Sequence, residues 1–324
     1  MAEGAKGLYA GAITQEKKRR FLTDLFTRLV KEKPLGTVGA VIVLLLLLIG
    51  IFAYWIAPYG FNDTWVGGRL EPSSMEHWMG TDQSGRDLIS RITYGAQISM
   101  YVGLGVSAIS TIISAFIGLI SGYLGGKIDI VIQRFVDAWM CFPMIFIMLT
   151  LMALVGPGII QVIVVLGVLY GITGSRTIRS AVIAVRENVY VEAARSIGCP
   201  TGPILIRHIL PNVMAPTIIV FTSRMGAAIL VEASISFLGY GIPEPFPSWG
   251  GMLNRGRPYM LEAMQLAVWP GLALSIVVWG INMFGDALRD LLDPRLRGGL
   301  GRYSGVSRKL PKKLAQSRTG DQGK

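Results

Sequence analysis

Histidine and cysteine are nearly missing from this chain: its 324 residues contain two of each, His77, His208, Cys141 and Cys199. Residues so few and so scattered supply neither a disulfide framework nor the clustered ligands of a metal centre. They also fall short of the grouped His, Asp or Glu that a membrane enzyme would need near one face. There is no GxxxxGK[ST] phosphate loop, so the chain carries no nucleotide site of that type. Charge is scarce as well, at 16% of residues against about 25% in soluble domains.

What is abundant is uninterrupted apolar sequence. The run GTVGAVIVLLLLLIGIFAYWIA at 36–57 is long enough to cross a hydrocarbon core of about 30 Å at about 1.5 Å per helical residue. A cleaved signal peptide would be shorter and would end in small residues, whereas this run ends Tyr54-Trp55-Ile56-Ala57-Pro58. Tyr54 and Trp55 suit the interface at the far end of a span. Five more runs follow, at 97–122, 135–156, 159–175, about 213–236 and about 266–285. The expectation is an all-α integral membrane protein of six transmembrane helices, forming one domain over 35–298. Cys141 falls in the third run as a small hydrophobe, and Pro143 predicts a kink there. Small residues such as Gly103, Ser107, Ser110, Ser114 and Gly118 in the second run allow close helix approach, so that span packs against others.

Lys and Arg set the orientation. They crowd the N-terminal stretch, the loop after the fourth run (Arg176, Arg179, Arg186, Arg195, Arg207) and the segment beyond the sixth. The opposite loops hold only Arg69, Arg86, Arg91, Arg255 and Arg257. Six spans with both termini in the cytoplasm put every basic-rich loop inside. The net charge of +11 is thereby assigned to anionic lipid headgroups, at about 1 kcal/mol per residue near the surface, and not to nucleic acid. In KKRRFLTDLFTRLVKEKP the pairs Phe21/Leu22, Leu25/Phe26 and Leu29/Val30 recur every four residues. That spacing predicts an interfacial amphipathic helix within a basic cytoplasmic tail at 1–34. Residues 299–324 are polar and basic and are expected to be disordered.

The segment EAARSIGCPTGPILIRHILPN, residues 192–212, interrupts the apolar pattern with charge, Pro and Gly. Helix formers lead through Glu192 and Arg195 to Gly198, where a positive φ ends a helix readily. Pro200 and Pro203 forbid its continuation, and Pro203 can open a second short helix, ILIRHIL, that stops before Pro211. Ala193 and Ala194 allow another surface to approach, while Glu192 and Arg195 offer charged hydrogen bonds at its rim. On this reading the loop is a docking surface; a solvated loop with incidental helicity is the alternative.

The stretch resembles the EAA loop of the membrane subunits of ATP-binding-cassette importers. Glu192, Ala193, Ala194, Gly198, Leu210 and Pro211 match that motif at its spacing, and RHILPN, with His208, reads as in the peptide/nickel branch. MGTDQSGRDLISRITYGAQISM, GYLGGKIDIVIQRFVDAWMCFP, SISFLGYGIPEPFPSWGGML and GDALRDLLDPRLR resemble the same branch, so the likeness covers about 35–297. Gln97 stands where Arg is usual and Tyr240 where Leu is usual.

The resemblance implies a type I importer permease fold and a coupling loop at about 186–212 that seats on an ATPase subunit through Glu192, Ala193, Ala194, Arg195, Gly198, His208, Leu210 and Pro211. It implies no cofactor in this chain, with ATP and Mg in the partner subunits. The implied partners are a second homologous permease, two ATPase subunits and an extracytoplasmic binding protein. Short peptides are the expected cargo; a nickel chelate, glutathione or an oligosaccharide would use the same machinery, and an ion-coupled secondary transporter is the competing class. Other polar residues carry weaker expectations. Arg134 and Asp137 are three apart and form a structural pair at the cytoplasmic interface. Arg224 and Glu232, two turns apart in the fifth span, either line the pathway or pair with another subunit. Asp82, Arg86, Asp87 and Arg91 sit outside, in an amphipathic helix leading into span two, as a surface network or as contacts for the binding protein. The external loop PEPFPSWGGML reads as packing at the membrane rim.

Overall fold

A computed structural model describes residues 21–292, and residues 21–26 by their backbone. The basic stretch before residue 21 and the tail from 293 onward, with the disorder expected at 299–324, lie outside the described residues. The helices longer than one turn are α1 (Phe21–Glu32), α2 (Pro34–Ile51), α3 (Leu88–Leu124), α4 (Gly126–Met140), α5 (Met144–Val155), α6 (Ile159–Arg186), α7 (Val189–Ser196), α8 (Thr201–Phe237), α9 (Trp249–Gly256) and α10 (Gln265–Leu292). Among the described residues the only β-type pairing is the isolated bridge between Thr81 and Asp87.

Five helices, α2, α3, α6, α8 and α10, are long and apolar enough to cross a bilayer. A sixth crossing exists if α4 and α5, bent by 85°, are one broken span. The single kinked helix expected at 135–156 is thus two helices and begins earlier, at Gly126. Pro143 lacks an N–H for the helical ladder and pushes the residue before it out of the α region, so the chain breaks at Cys141–Pro143. Cys141 is consequently exposed at the bend and not enclosed in an apolar helix.

Close packing follows the small residues. The central pair is α3 against α6, where Ile109 covers Gly167, Ile113 covers Gly171, and Ser114 Oγ donates to the Gly171 carbonyl at 2.8 Å. Without a hydrophobic force between helices in lipid, this backbone proximity is what holds them together. Pro34 opens α2 at a position where its missing N–H costs nothing. Gly36 and Gly39 then lay that helix on α10: a β-carbon on Gly39 would stand 2.5 Å from the Gly280 carbonyl oxygen and 2.7 Å from the Phe284 amide nitrogen. Gly39→Leu is therefore expected to separate α2 from α10. A lowered melting temperature of the detergent-solubilised protein checks this, with Val38→Leu, on the exposed face, unchanged. At the basic end, α1 contributes Leu29 to a cluster with Ala287 and Leu291, and Lys33 meets Asp290 at 2.5 Å.

Two other expectations are corrected. Residues 82–87 are not helical: α3 starts at Leu88, with Asp87 as its N-cap accepting from the Ser90 amide at 2.8 Å. The helix after Gly198 does not stop at Pro211 but runs on into the fifth span as α8. Pro211 cannot donate, and the chain absorbs the missing bond by widening into a π turn over Ile204–Ile209, in which the Leu210 amide donates to Leu205, followed by a 3-10 turn over Leu210–Val213.

Candidate functional site

At the basic end, α6 continues past the apolar run to Arg186, and a two-residue turn leads into α7. Val191 and Ala194, three residues apart, face inward and join Val182, Ile204, Ile209 and Val213 in a buried cluster. Ala194 therefore serves this chain's own core, correcting the expectation that it faces a partner alongside Ala193. Ala193 is exposed, as is Glu192. On the outward face stand Val189, 81% exposed, Ile197, 84% exposed, and Tyr190. With Ala193 these occupy positions i, i+1, i+4 and i+8 of one helical stripe, and an apolar stripe presented outside the bundle marks an interaction site. The motif-based reading passed over Val189, Tyr190 and Ile197, although their helical spacing was available.

The turn is held rigidly. Gly198 adopts φ +76 with open space around its α-carbon, so the left-handed backbone and not crowding is what favours glycine here. Arg195, expected at the rim of a partner, is exposed and lays its guanidinium over the Tyr123 ring at 4.7 Å, donating to its hydroxyl at 3.3 Å. Arg186 donates to the carbonyls of Gly122 and Tyr123 at 3.1 and 3.2 Å, satisfying acceptors that the end of α3 leaves open. Arg179 grips Asp129 at 2.6 and 2.5 Å. Together these bonds lock the ends of α3, α4, α6 and α7. His208 and Leu210 are half-buried in the first turns of α8 and Pro211 is exposed; the His208 carbonyl accepts from Asn212 at 2.6 Å. Arg134 and Asp137 pair at 3.7 Å, and Arg176 from α6 also meets Asp137.

Between α6 and α8 lies a cavity of about 980 Å³. It runs from Asn188, Asn212 and Arg289 at the basic end to Ser223 and Arg224 at depth. Arg224 and Glu232 do not act together. Arg224 reaches the cavity, over the face of Tyr170. Glu232 is 1% exposed, accepts from Ser236 Oγ at 2.6 Å and does not line this cavity.

At the opposite end, residues 57–87 and 238–264 form a cap. Asp82, Arg86, Asp87 and Arg91 are all buried there, so they do not present themselves to a docking protein, and the surface network expected of them is an interior one. Arg86 Nε bonds Asp82 at 2.7 Å, and its terminal nitrogens reach Glu244 at 3.0 and 3.3 Å. Arg91 reaches Glu244 at 3.3 Å and the Phe61 carbonyl at 3.0 Å, and Arg255 reaches Glu244 at 2.6 Å. Glu244, absent from the sequence-based assignment, is the hub joining the two halves of the cap. Burial alone would raise its carboxyl, but the Arg86 bond and the neighbouring Arg255 and Arg91 charges outweigh it and hold it below the usual carboxylate range. Burial likewise opposes the Arg86 guanidinium, and its Glu244 and Asp82 partners hold it above its ordinary value. Asp87 also takes His77 Nδ1 at 3.0 Å. Ser248 caps α9, and Trp249 seals it by donating to the Ile92 carbonyl at 3.2 Å.

Residues 114–298 match the family described as binding-protein-dependent transport system inner membrane component, and residues 21–72 match the N-terminal transmembrane domain of oligopeptide transport permease C. The dipeptide transport system permease protein of Alkalihalophilus pseudofirmus is 38% identical over 274 residues, covering 85% of this chain and 90% of the relative. The glutathione transport system permease protein of Escherichia coli is also 38% identical over 274 residues, covering 84% and 90%. Among solved structures, inward-facing conformations of the MetNI methionine ABC transporter contain a chain that matches with a TM-score of 0.52 at 16% identity, covering 63% of this chain and 96% of that one. That likeness concerns the fold.

Proposed function

Because the chain belongs to the family of binding-protein-dependent transport system inner membrane components, we propose that it is one of two permease subunits of an ATP-driven importer of short peptides in the inner membrane. It forms half of the translocation pathway beside a homologous permease. Two ATP-binding-cassette subunits hold ATP and magnesium and supply the motion, and an extracytoplasmic binding protein delivers the cargo. This chain does no bond chemistry.

The observation that carries the reading is the outward apolar stripe of α7. Fully burying a Val or Ile side chain is worth about 1.5–3 kcal/mol, and Val189 and Ile197 are almost wholly exposed in the single chain. A groove on an ATPase subunit covers them. When that subunit moves, α7 moves with it, because the outer face is gripped by the partner and the inner face is seated by Val191 and Ala194. The Arg195–Tyr123 and Arg186–α3 bonds pass the displacement to α3 and α6, and the short connection through Gly198 passes it to α8. The cavity beside Arg224 then opens and closes as α6 and α8 tilt.

Short peptides are the cargo that the named relatives favour, the dipeptide and glutathione permeases among them. The test is uptake of a labelled tripeptide into proteoliposomes containing both permeases and both ATPases, with the binding protein outside. Uptake is expected to require ATP, to stop with vanadate and to ignore a protonophore. Uptake that follows a proton gradient without the ATPases would show a secondary transporter instead.

A further inference from the structure

Arg224 is a cation deep in a membrane helix with no anion opposite it among the described residues. The arginines of α6 each have an acceptor: Arg176 meets Asp137, Arg179 meets Asp129, and Arg186 meets the carbonyls of Gly122 and Tyr123. Among the described residues, no carboxylate or carbonyl accepts from Arg224, whose contact is the Tyr170 ring at 4.6 Å from the centroid. Its nitrogens are not sealed in the protein either. The buried side-chain atoms without a partner include Arg176 Nε and Arg255 Nη2 but none of Arg224. The fork is open to the cavity that it lines.

A guanidinium at membrane depth is costly unless it faces water or an anion, and it marks a functional position by default. Among the described residues, the charged ones lining this cavity are Arg224 and Arg289, with no Asp or Glu. Thr177 and Ser223 add hydroxyls from the two facing helices. A flat, permanently positive fork beside a tyrosine ring matches a carboxylate, which it binds through two parallel hydrogen bonds. The volume of about 980 Å³ lies within the range of small-ligand sites, about 300–1,000 Å³.

We propose that Arg224 is a specificity-determining residue of the pathway and receives the C-terminal carboxylate of the peptide as it crosses the cavity. The proposal rests on the peptide-importer reading above. The same fork would also accept a carboxylate of the second permease subunit, and the test separates the two.

ATP-driven uptake of a tripeptide with a free C-terminal carboxylate, and of its C-terminal amide, is measured in proteoliposomes holding the full complex. Both probes pass through the same binding protein, so its own preference cancels when acid-to-amide ratios are compared between variants. Arg224→Gln is expected to lower the ratio about tenfold, the size of one lost charge-assisted pair. Arg224→Lys keeps the charge without the fork and is expected to give a ratio between those of the wild type and Arg224→Gln. An unchanged ratio in Arg224→Gln overturns the proposal. An equal fall for both probes in both variants overturns it too, since that is the signature of a structural pair between subunits. If the wild-type complex imports neither probe with ATP, the peptide reading has failed and takes the proposal with it. If it imports both and the ratio ignores Arg224, only the proposal falls.

Discussion

Replacing Ala193 by Arg is expected to reduce ATP-driven uptake by more than about tenfold while the protein still inserts and assembles with its permease partner. Ala193 is the small exposed residue between Tyr190 and Ile197 on the outer stripe of α7. A guanidinium there enters the proposed seat on the ATPase without an acceptor, and an unpaired charge in a packed contact costs about 2–5 kcal/mol; each 1.4 kcal/mol is about tenfold in affinity. The inner face, Val191 and Ala194, is untouched, so folding is preserved. Three measurements check this: membrane insertion, recovery of the ATPases on co-purification, and uptake. Normal uptake with Arg at 193 would remove α7 from the transmission path. Ala194→Arg makes the contrast, because it pushes charge into the buried cluster of Ile204, Ile209 and Val213 and should lower stability before it affects docking.

The second large effect concerns the cap. Arg86→Met removes the cation that bonds both Asp82 and Glu244, leaving Asp82 buried and charged. Breaking one side of a buried ion pair costs about 3–5 kcal/mol, while replacing both members by apolar groups is often neutral. The single variant should therefore melt at a clearly lower temperature in detergent, and Arg86→Met with Asp82→Leu should recover part of the loss. Recovery is incomplete because the amides of Ser84 and residue 86 lose their Asp82 acceptor, and Glu244, whose side chain is 41% exposed, keeps Arg91 and Arg255 but loses Arg86. If the single variant melts like the wild type, the network is not what holds the two halves of the cap together.

These two sites show what could be read from the chain and what could not. The spans were legible because apolar runs of the required length have few other uses, and the small residues of α3 announced the contact with α6. Gly198 was legible because a left-handed turn has few occupants. The inward turn of Ala194 was not, since two adjacent alanines in an eight-residue helix look alike until a neighbour chooses a face. Asp82, Arg86, Asp87 and Arg91 read as surface because charge usually is; their burial depends on Glu244, some 150 residues away and tucked among prolines. Pro211 read as a stop because local rules treat it so, whereas packing of Ile204, Ile209 and Val213 made a wide turn cheaper than a break. Pro143 signalled a bend, but not its size of 85°.

The continuity of α8 has a mechanical corollary. Its 37 residues make a shaft of about 55 Å at 1.5 Å per residue, with its inner tip beside the α7 stripe. Its outer tip is meshed with the cap: Ser236 Oγ takes the Ile242 amide at 3.1 Å, and Gly250 sits where any β-carbon would strike the Ala233 backbone. One continuous helical segment thus joins the neighbourhood of the α7 stripe to the cap.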